Sequence, residues 1–124
     1  MSSNRVDLER ASAAERGRYI ETSLRAEAGI EEAIGLLRVR KLQYASAEES
    51  ALINVRIPQL EARLAKLRAD RIAFLAGYKS IKPPTAADVA RAKQLVGQLE
   101  ALVAQTAKTR AVIAIASRLV RLTR

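Results

Sequence analysis

Apolar residues in the middle of the chain recur at alternating intervals of four and three positions, the spacing that lines up side chains along one face of a helix. The pattern is interrupted by a single charged residue, Arg71. Its apolar members are Ile53, Ile57, Leu60, Leu64, Leu67, Phe74 and Tyr78. Because such heptads are typical of closely packed helices, they predict a helix over about residues 47–76. Pro58 lies inside the pattern without shifting it, so we expect one helix with a kink.

A similar spacing continues in the last third of the chain and predicts a helix over about residues 85–122. It runs through Val89, Ala92, Val96, Leu99, Val103 and Thr106. The first third predicts a helix over about residues 4–44, in which two apolar stripes on different faces meet near Gly29. Since glycine in a helix costs about 1 kcal/mol relative to alanine, we expect a bend or a break there.

Capping signals separate these helices. Ser46–Glu49 and Thr85–Asp88 each place a hydroxyl three residues before a carboxylate, and residues 77–84 contain a glycine and two prolines. The short first connection makes its two helices antiparallel. The sequence therefore predicts one all-α domain over residues 1–124. We expect an elongated antiparallel three-helix bundle with coiled-coil-like packing, or a four-helix bundle if the first helix breaks at Gly29.

The composition excludes most catalytic chemistry. The 124 residues include no His and no Cys, so His bases, thiolate nucleophiles, disulfides and ordinary zinc sites are absent. The five glycines are dispersed and form no phosphate-binding loop. Glu27 and Glu31 lie one helical turn apart and can chelate a hard cation, but we favour a solvated face beside arginines. The expectation is a protein that is not an enzyme, with no cofactor and no metal.

The net charge of +9 is concentrated near the C-terminus, where no acidic residue follows Glu100. Drawn as a helix, residues 111–124 place apolar side chains over about half of the circumference and arginines opposite them. The predicted basic face consists of Arg110, Arg118, Arg121 and Arg124. Such a face suits an acidic protein partner or the phosphates of a nucleic acid.

The apolar half of this terminal helix is compatible with three roles. In the first, the apolar side packs in the bundle or against a second copy. In the second, the arginines contact phosphates. In the third, the helix lies in a membrane surface. The lack of nearby aromatic residues disfavours base stacking and interfacial insertion. With no signal peptide and no stretch apolar enough to span a membrane, we expect a cytoplasmic protein. Presence in a virion, or secretion without a classical signal, is left open.

We therefore expect a non-enzymatic protein that functions by assembly, as a homo-oligomer or docked to a larger protein partner. The predicted assembly seam consists of Ile53, Ile57, Leu60, Leu64, Leu67, Phe74, Val96, Leu99, Val103, Ile113 and Val120. The alternatives are a nucleic-acid-binding accessory protein and a membrane-active, toxin-like protein.

Two arginines on apolar stripes also need an explanation. Arg71 is expected either to pair with Glu21 or to lay its methylenes on the seam with its guanidinium in water. Arg110 is expected to lie opposite Glu48 and Glu49 at the start of the second helix.

Overall fold

The computed structural model describes residues 12–78, 81–104 and 106–123. They form four helices, namely α1 (Ala13–Gln43), α2 (Ala47–Leu75), α3 (Ala86–Glu100) and α4 (Thr109–Leu122). These helices pack into an all-α bundle, which confirms the predicted fold class. Helix α1 is central, because it contacts each of the other three. Within the described ranges α2 and α3 do not pack against each other, so one side of α2 stays open.

Helix α1 begins at Ala13, after a reciprocal cap at Ser12. The Ser12 backbone is extended (φ −65°, ψ 161°) and its hydroxyl accepts from the Glu15 N–H at 3.1 Å. The Glu15 carboxylate in turn accepts from the Ser12 N–H at 3.1 Å. The expected start near residue 4 lies outside the described residues. Because the helix then runs without interruption to Gln43, the predicted break at Gly29 is wrong.

Gly29 marks the place where two other helices approach α1. A methyl group at this position would overlap the Leu119 side chain of α4 and lie 3.2 Å from Cγ2 of Val96 in α3. The missing side chain therefore makes room for both neighbours, and their packing offsets the intrinsic helix cost of glycine. The two apolar stripes that the sequence places on different faces of this helix meet at this close approach.

Helix α2 is continuous through Pro58, as predicted. Pro58 lies on the exposed face, where water can solvate the carbonyl group that a proline leaves without a donor. The helix ends at Leu75, and Gly77 then takes a left-handed conformation (φ 81°) that favours glycine. Thr85 caps α3 through a reciprocal pair with Asp88, so this connection lies where the sequence places it.

The single helix predicted over residues 85–122 is wrong, because residues 101–108 separate α3 from α4. This connection buries Ala107 and reverses the chain, so the apolar side of α4 packs against α1 and α3. Arg40 of α1 donates from Nη1 to the Ala104 carbonyl at 3.1 Å and so holds the connection against the bundle. Burial of a second apolar face outweighs helix continuity here, and the fourth helix arises from this break.

Candidate functional site

Most side chains of the predicted assembly seam lie inside the bundle. Six are buried, namely Ile53, Leu60, Leu64, Leu67, Phe74 and Leu99. Four are partly buried and pack against the main core, namely Ile57, Val96, Ile113 and Val120. Val103 is exposed over 61% of its surface. Substitution of the buried members would therefore test folding before it tested assembly.

The apolar half of α4 is also used within the chain. Its buried members are Val112, Ala116 and Leu119, and its partly buried members are Ile113, Ile115, Val120 and Leu122. Seven apolar residues on one side of a 14-residue helix account for its strong amphipathicity, and packing removes most of that side from the surface. No helix in the described part of the chain is long and apolar enough to cross a membrane.

Two arginines of the predicted basic face, Arg110 and Arg121, line different depressions of the surface. Arg110, Arg118 and Arg121 are exposed and make no ion pair with any described residue, whereas Arg124 lies outside the described residues. Arg110 lines a depression that also contains Glu48 and Glu49, as expected. The contact from α4 to Glu49, however, comes from the neighbouring Thr109, whose hydroxyl donates to Oε2 at 2.9 Å.

A groove runs between α2 and α4, where these helices pack only lightly. It encloses about 530 Å³. Arg56 and Arg63 of α2 and Arg121 of α4 line it, and no carboxylate does. Between these cations lie the partly buried side chains Ile113 and Val120. The α2–α4 groove thus has an apolar floor and a cationic rim.

The charges on the rim of the α2–α4 groove are available to a ligand. Arg56 donates from Nη1 to the side-chain amide oxygen Oε1 of Gln59 at 3.0 Å, so its neighbour is neutral. Arg63 and Arg121 have no acidic partner among the described residues. The sequence pointed to Arg121, but Arg56 and Arg63 were missed because their relevance depends on α4 lying beside α2. Their separation of seven residues on one side of α2 was the available signal.

A second polar cluster joins α1 to α2 around a buried carboxylate. Only 5% of Glu27 is exposed, and it accepts from Arg71 Nε at 2.8 Å and from Arg71 Nη2 at 3.1 Å. The Ser23 hydroxyl donates to Glu27 at 3.0 Å. Of the two alternatives expected for Arg71, the structure has the ion pair with α1, but the partner is Glu27 and not Glu21. Glu21 pairs with Arg25 on its own helix.

The register of α1 on α2 explains this difference. Arg40 pairs with Glu49 and Arg38 with Glu61, while further along the hairpin Arg68 pairs with Glu31. These nested pairs show which residues of the two helices face each other, and the same register brings Glu27 to Arg71. The arginine neighbours predicted for Glu27 and Glu31 are confirmed. The solvated face predicted for both is found only at Glu31, because Glu27 is buried between α1 and α2. Among the described residues no group of three or more potential ligands can hold a metal ion.

Opposing effects set the pKa of Glu27. Burial alone would raise it, but the hydrogen bonds from Arg71 and Ser23 and the charges of Arg71 and Arg68 hold it below the ordinary value. At Glu49 the hydrogen bonds from Arg40 and Thr109 likewise lower the pKa. Both carboxylates are therefore ionised at neutral pH. Glu27 joins α1 to α2 through Arg71, and Glu49 of α2 joins that helix to Arg40 of α1 and to Thr109 of α4.

Acidification is expected to destabilise the protein through Glu27. Because its folded pKa lies below the ordinary 4.5, its stabilisation is complete above that value and is lost as the pH falls through the folded pKa. Glu27→Gln should therefore reduce the slope of Tm against pH between about pH 5 and pH 3. The exposed Glu32→Gln is the control and should keep the wild-type slope. An unchanged slope in Glu27→Gln would contradict this assignment.

The α2–α4 groove is the best candidate for a functional site, since it combines unpaired cations with accessible apolar surface. Comparison with known proteins gives no further guide to it, because no family model, no curated protein and no solved structure matches this chain.

Proposed function

We propose that this chain is a non-enzymatic interaction protein whose α2–α4 groove docks an acidic amphipathic helix of a partner protein. The observation that carries the proposal is the lining of the groove, in which three arginines surround apolar side chains and no carboxylate is present. Apolar contact supplies affinity in such a site, while opposite charges orient the partner and accelerate its encounter.

A helix is the occupant that the shape of the groove favours. Two neighbouring helices leave a furrow between them, and an added helix can fill it with apolar residues spaced by three and four positions. Carboxylates flanking that apolar stripe would meet Arg56 and Arg63 on one wall and Arg121 on the other. The net charge of +9 would attract such an acidic segment from a distance, most strongly at low salt.

A matched pair of charge variants tests the proposal. The probe is a fluorescent synthetic helix with leucines on one face and glutamates on its flanks. Replacing Arg56, Arg63 and Arg121 by Gln should weaken its binding at least about tenfold, measured by anisotropy at constant salt. The control replaces Arg16, Arg110 and Arg118 by Gln, which removes the same charge from exposed positions outside the groove.

The control variant and a scrambled probe decide the outcome. We expect the control to bind within about threefold of wild type, because only long-range attraction is reduced. A glutamate-rich peptide of equal composition but without an apolar face should bind more weakly. Equal losses in both variants, or equal binding of both peptides, would show general charge attraction and would overturn the proposed groove. Light scattering on the same samples identifies a second copy of the chain as the partner if the protein elutes as a dimer.

A nucleic-acid accessory role is the second candidate, favoured by the exposed and unpaired Arg110 and Arg118 on α4. It predicts a different result from the same variants. Duplex DNA would lose affinity in the variant with Arg110 and Arg118 replaced as much as in the groove variant, and the salt dependence would become shallower in both. Release of dye from anionic vesicles by wild-type protein would instead support the membrane-active alternative.

A further inference from the structure

The exposed side of α1 carries a second row of residues at helical spacing. They follow intervals of four, three, four, three and four positions, and every one of them is exposed. This outer row consists of Leu24, Ala28, Glu31, Gly35, Arg38 and Leu42. Leu42 exposes 81% of its surface and Leu24 exposes 47%, so an apolar side chain stands at each end of the row. Such spacing is typical of a helix face that packs against another helix.

Apolar residues of α2 enlarge the end of the outer row at Leu42. Ile57 and Pro58 line one depression together with Leu42, and this depression encloses about 340 Å³. Ile57 is partly buried and Pro58 is exposed. The apolar surface at this end therefore extends across both helices of the α1–α2 hairpin.

The register of α1 on α2 enlarges the opposite end in the same way. Glu31 pairs with Arg68. Leu24 lies seven residues before Glu31, and Leu75 lies seven residues after Arg68, so the register places these two exposed leucines side by side. The same step in the other direction leads to a second observed ion pair, with its atoms 3.4 Å apart. The outer face of the hairpin thus has two apolar ends and a charged centre.

The outer row is complementary in size to its own reverse. A two-fold axis beside Ala33 would lay a second copy of α1 antiparallel on the first, with every member of the row facing another member. Each long charged side chain then faces a small residue, and the leucines face each other. The facing pairs, each formed twice, are Leu24 with Leu42, Ala28 with Arg38, and Glu31 with Gly35.

The charges of the outer row are also complementary to their own reverse. In the antiparallel arrangement Glu31 lies one layer away from Arg38 of the second copy, and layers along a helix pair are about 5 Å apart. Within the chain Glu31 already pairs with Arg68, and Arg38 with Glu61. Contact between copies would therefore extend these ion pairs into a network of alternating charge and would leave no charge unpaired.

The area of this face is sufficient for a weak dimer. The row from Leu24 to Leu42 is about 27 Å long, and two neighbouring helices are about 20 Å wide. Two such faces would bury roughly 1,100 Å² in total, close to the lower limit for a specific interface. We therefore expect a dissociation constant of about 10–100 μM, with the chain mostly monomeric at lower concentrations.

We infer that a second copy of this chain docks on the outer face of the α1–α2 hairpin, with the two α1 helices antiparallel about a two-fold axis. The reciprocal match in size and charge favours a second copy over an unrelated partner, because an isologous contact requires a surface that is complementary to itself. The inference does not rest on the proposed function. No residue of the outer row lines the α2–α4 groove, so the dimer would leave the groove open.

Charge reversal in the outer row tests the dimer by mixing two variants. Arg38→Glu leaves the row with two acidic residues, and Glu31→Arg leaves it with two basic ones. Sedimentation equilibrium up to about 500 μM should show a reversible wild-type dimer and self-association at least about tenfold weaker in each variant. An equimolar mixture brings opposite charges together in every contact between copies and should associate about as tightly as wild type.

Matched variants separate the outer row from the rest of the surface. Arg118→Glu and Glu100→Arg make the same charge changes at exposed positions outside the row, and each should dimerise as wild type does. Leu42→Ser removes an apolar contact that occurs twice in the dimer and should weaken association at least about tenfold. Val55→Ser, at another exposed position of α2 and outside the row, should leave association unchanged.

Three results would each overturn the inference. These are a wild-type chain that stays monomeric at the highest concentration, a mixture of the two charge variants that associates no better than its components, and an unchanged dimer in Leu42→Ser. Replacement of Arg56, Arg63 and Arg121 by Gln should leave the dimer intact. A dimer lost in that variant but kept in Leu42→Ser would place the second copy in the α2–α4 groove and would also overturn the inference.

Discussion

Replacing Arg71 by leucine is expected to lower the free energy of unfolding by about 3 kcal/mol, the largest single-site effect we predict. The substitution places an apolar side chain on the α2 seam but leaves the Glu27 carboxylate, 5% exposed, without its bidentate partner. Arg68 Nε lies 3.5 Å from Glu27 and can replace only part of that interaction. Urea denaturation at neutral pH measures the loss.

Two further variants test whether the loss of stability comes from an unpaired buried charge. Adding Glu27→Met to Arg71→Leu removes both charges and should restore most of the stability, because an apolar pair can occupy the same space. Glu21→Gln breaks the more exposed pair with Arg25 and should cost less than about 0.5 kcal/mol. If Arg71→Leu alone proved as stable as wild type, Glu27 would have to reach water or another donor in the folded state.

Gly29→Ala is expected to destabilise the protein by about 1–2 kcal/mol, even though alanine is the better helix former. The added methyl group would overlap the fully buried side chain of Leu119 in α4, and it would crowd Val96 in α3. Alanine gains about 1 kcal/mol of helix propensity, and the displacement of two packed helices is expected to exceed that gain. Chemical denaturation measures the difference.

Gly35→Ala is the matched control in the same helix. No atom outside the local backbone lies within 4 Å of a methyl group at this position, so only the propensity term acts. This variant should therefore be more stable than wild type by about 0.5–1 kcal/mol. Opposite changes in the free energy of unfolding would show that the loss in Gly29→Ala comes from the contact of α1 with α3 and α4. Stabilisation by both would mean that Leu119 can move aside without loss.

Local signals in the sequence were sufficient for the helical class and for several boundaries. Hydroxyl caps at Ser46 and Thr85, together with the turn at Gly77, act within one turn of backbone and need no distant partner. The heptad spacing of α2 likewise identified side chains that are buried in the structure. It could not identify what buries them, because the same stripe serves an intramolecular core or an interface between chains.

The errors lie where distant contacts outweigh local preference. Gly29 is a weak helix former, but it is retained in a continuous helix because α3 and α4 need its space. The residues between α3 and α4 carry no strong breaking signal, and the chain reverses there because folding back buries the apolar side of α4.

The sequence by itself determined an all-α protein with caps, a basic C-terminal helix and no His or Cys chemistry. Its composition and short-range spacing are sufficient for that result. Only the tertiary structure decided that Arg71 meets Glu27, that α4 lies beside α2, and that Gly29 makes room for α3 and α4. These outcomes depend on helix register and on the reversal after α3, which are set by packing between residues far apart in the chain.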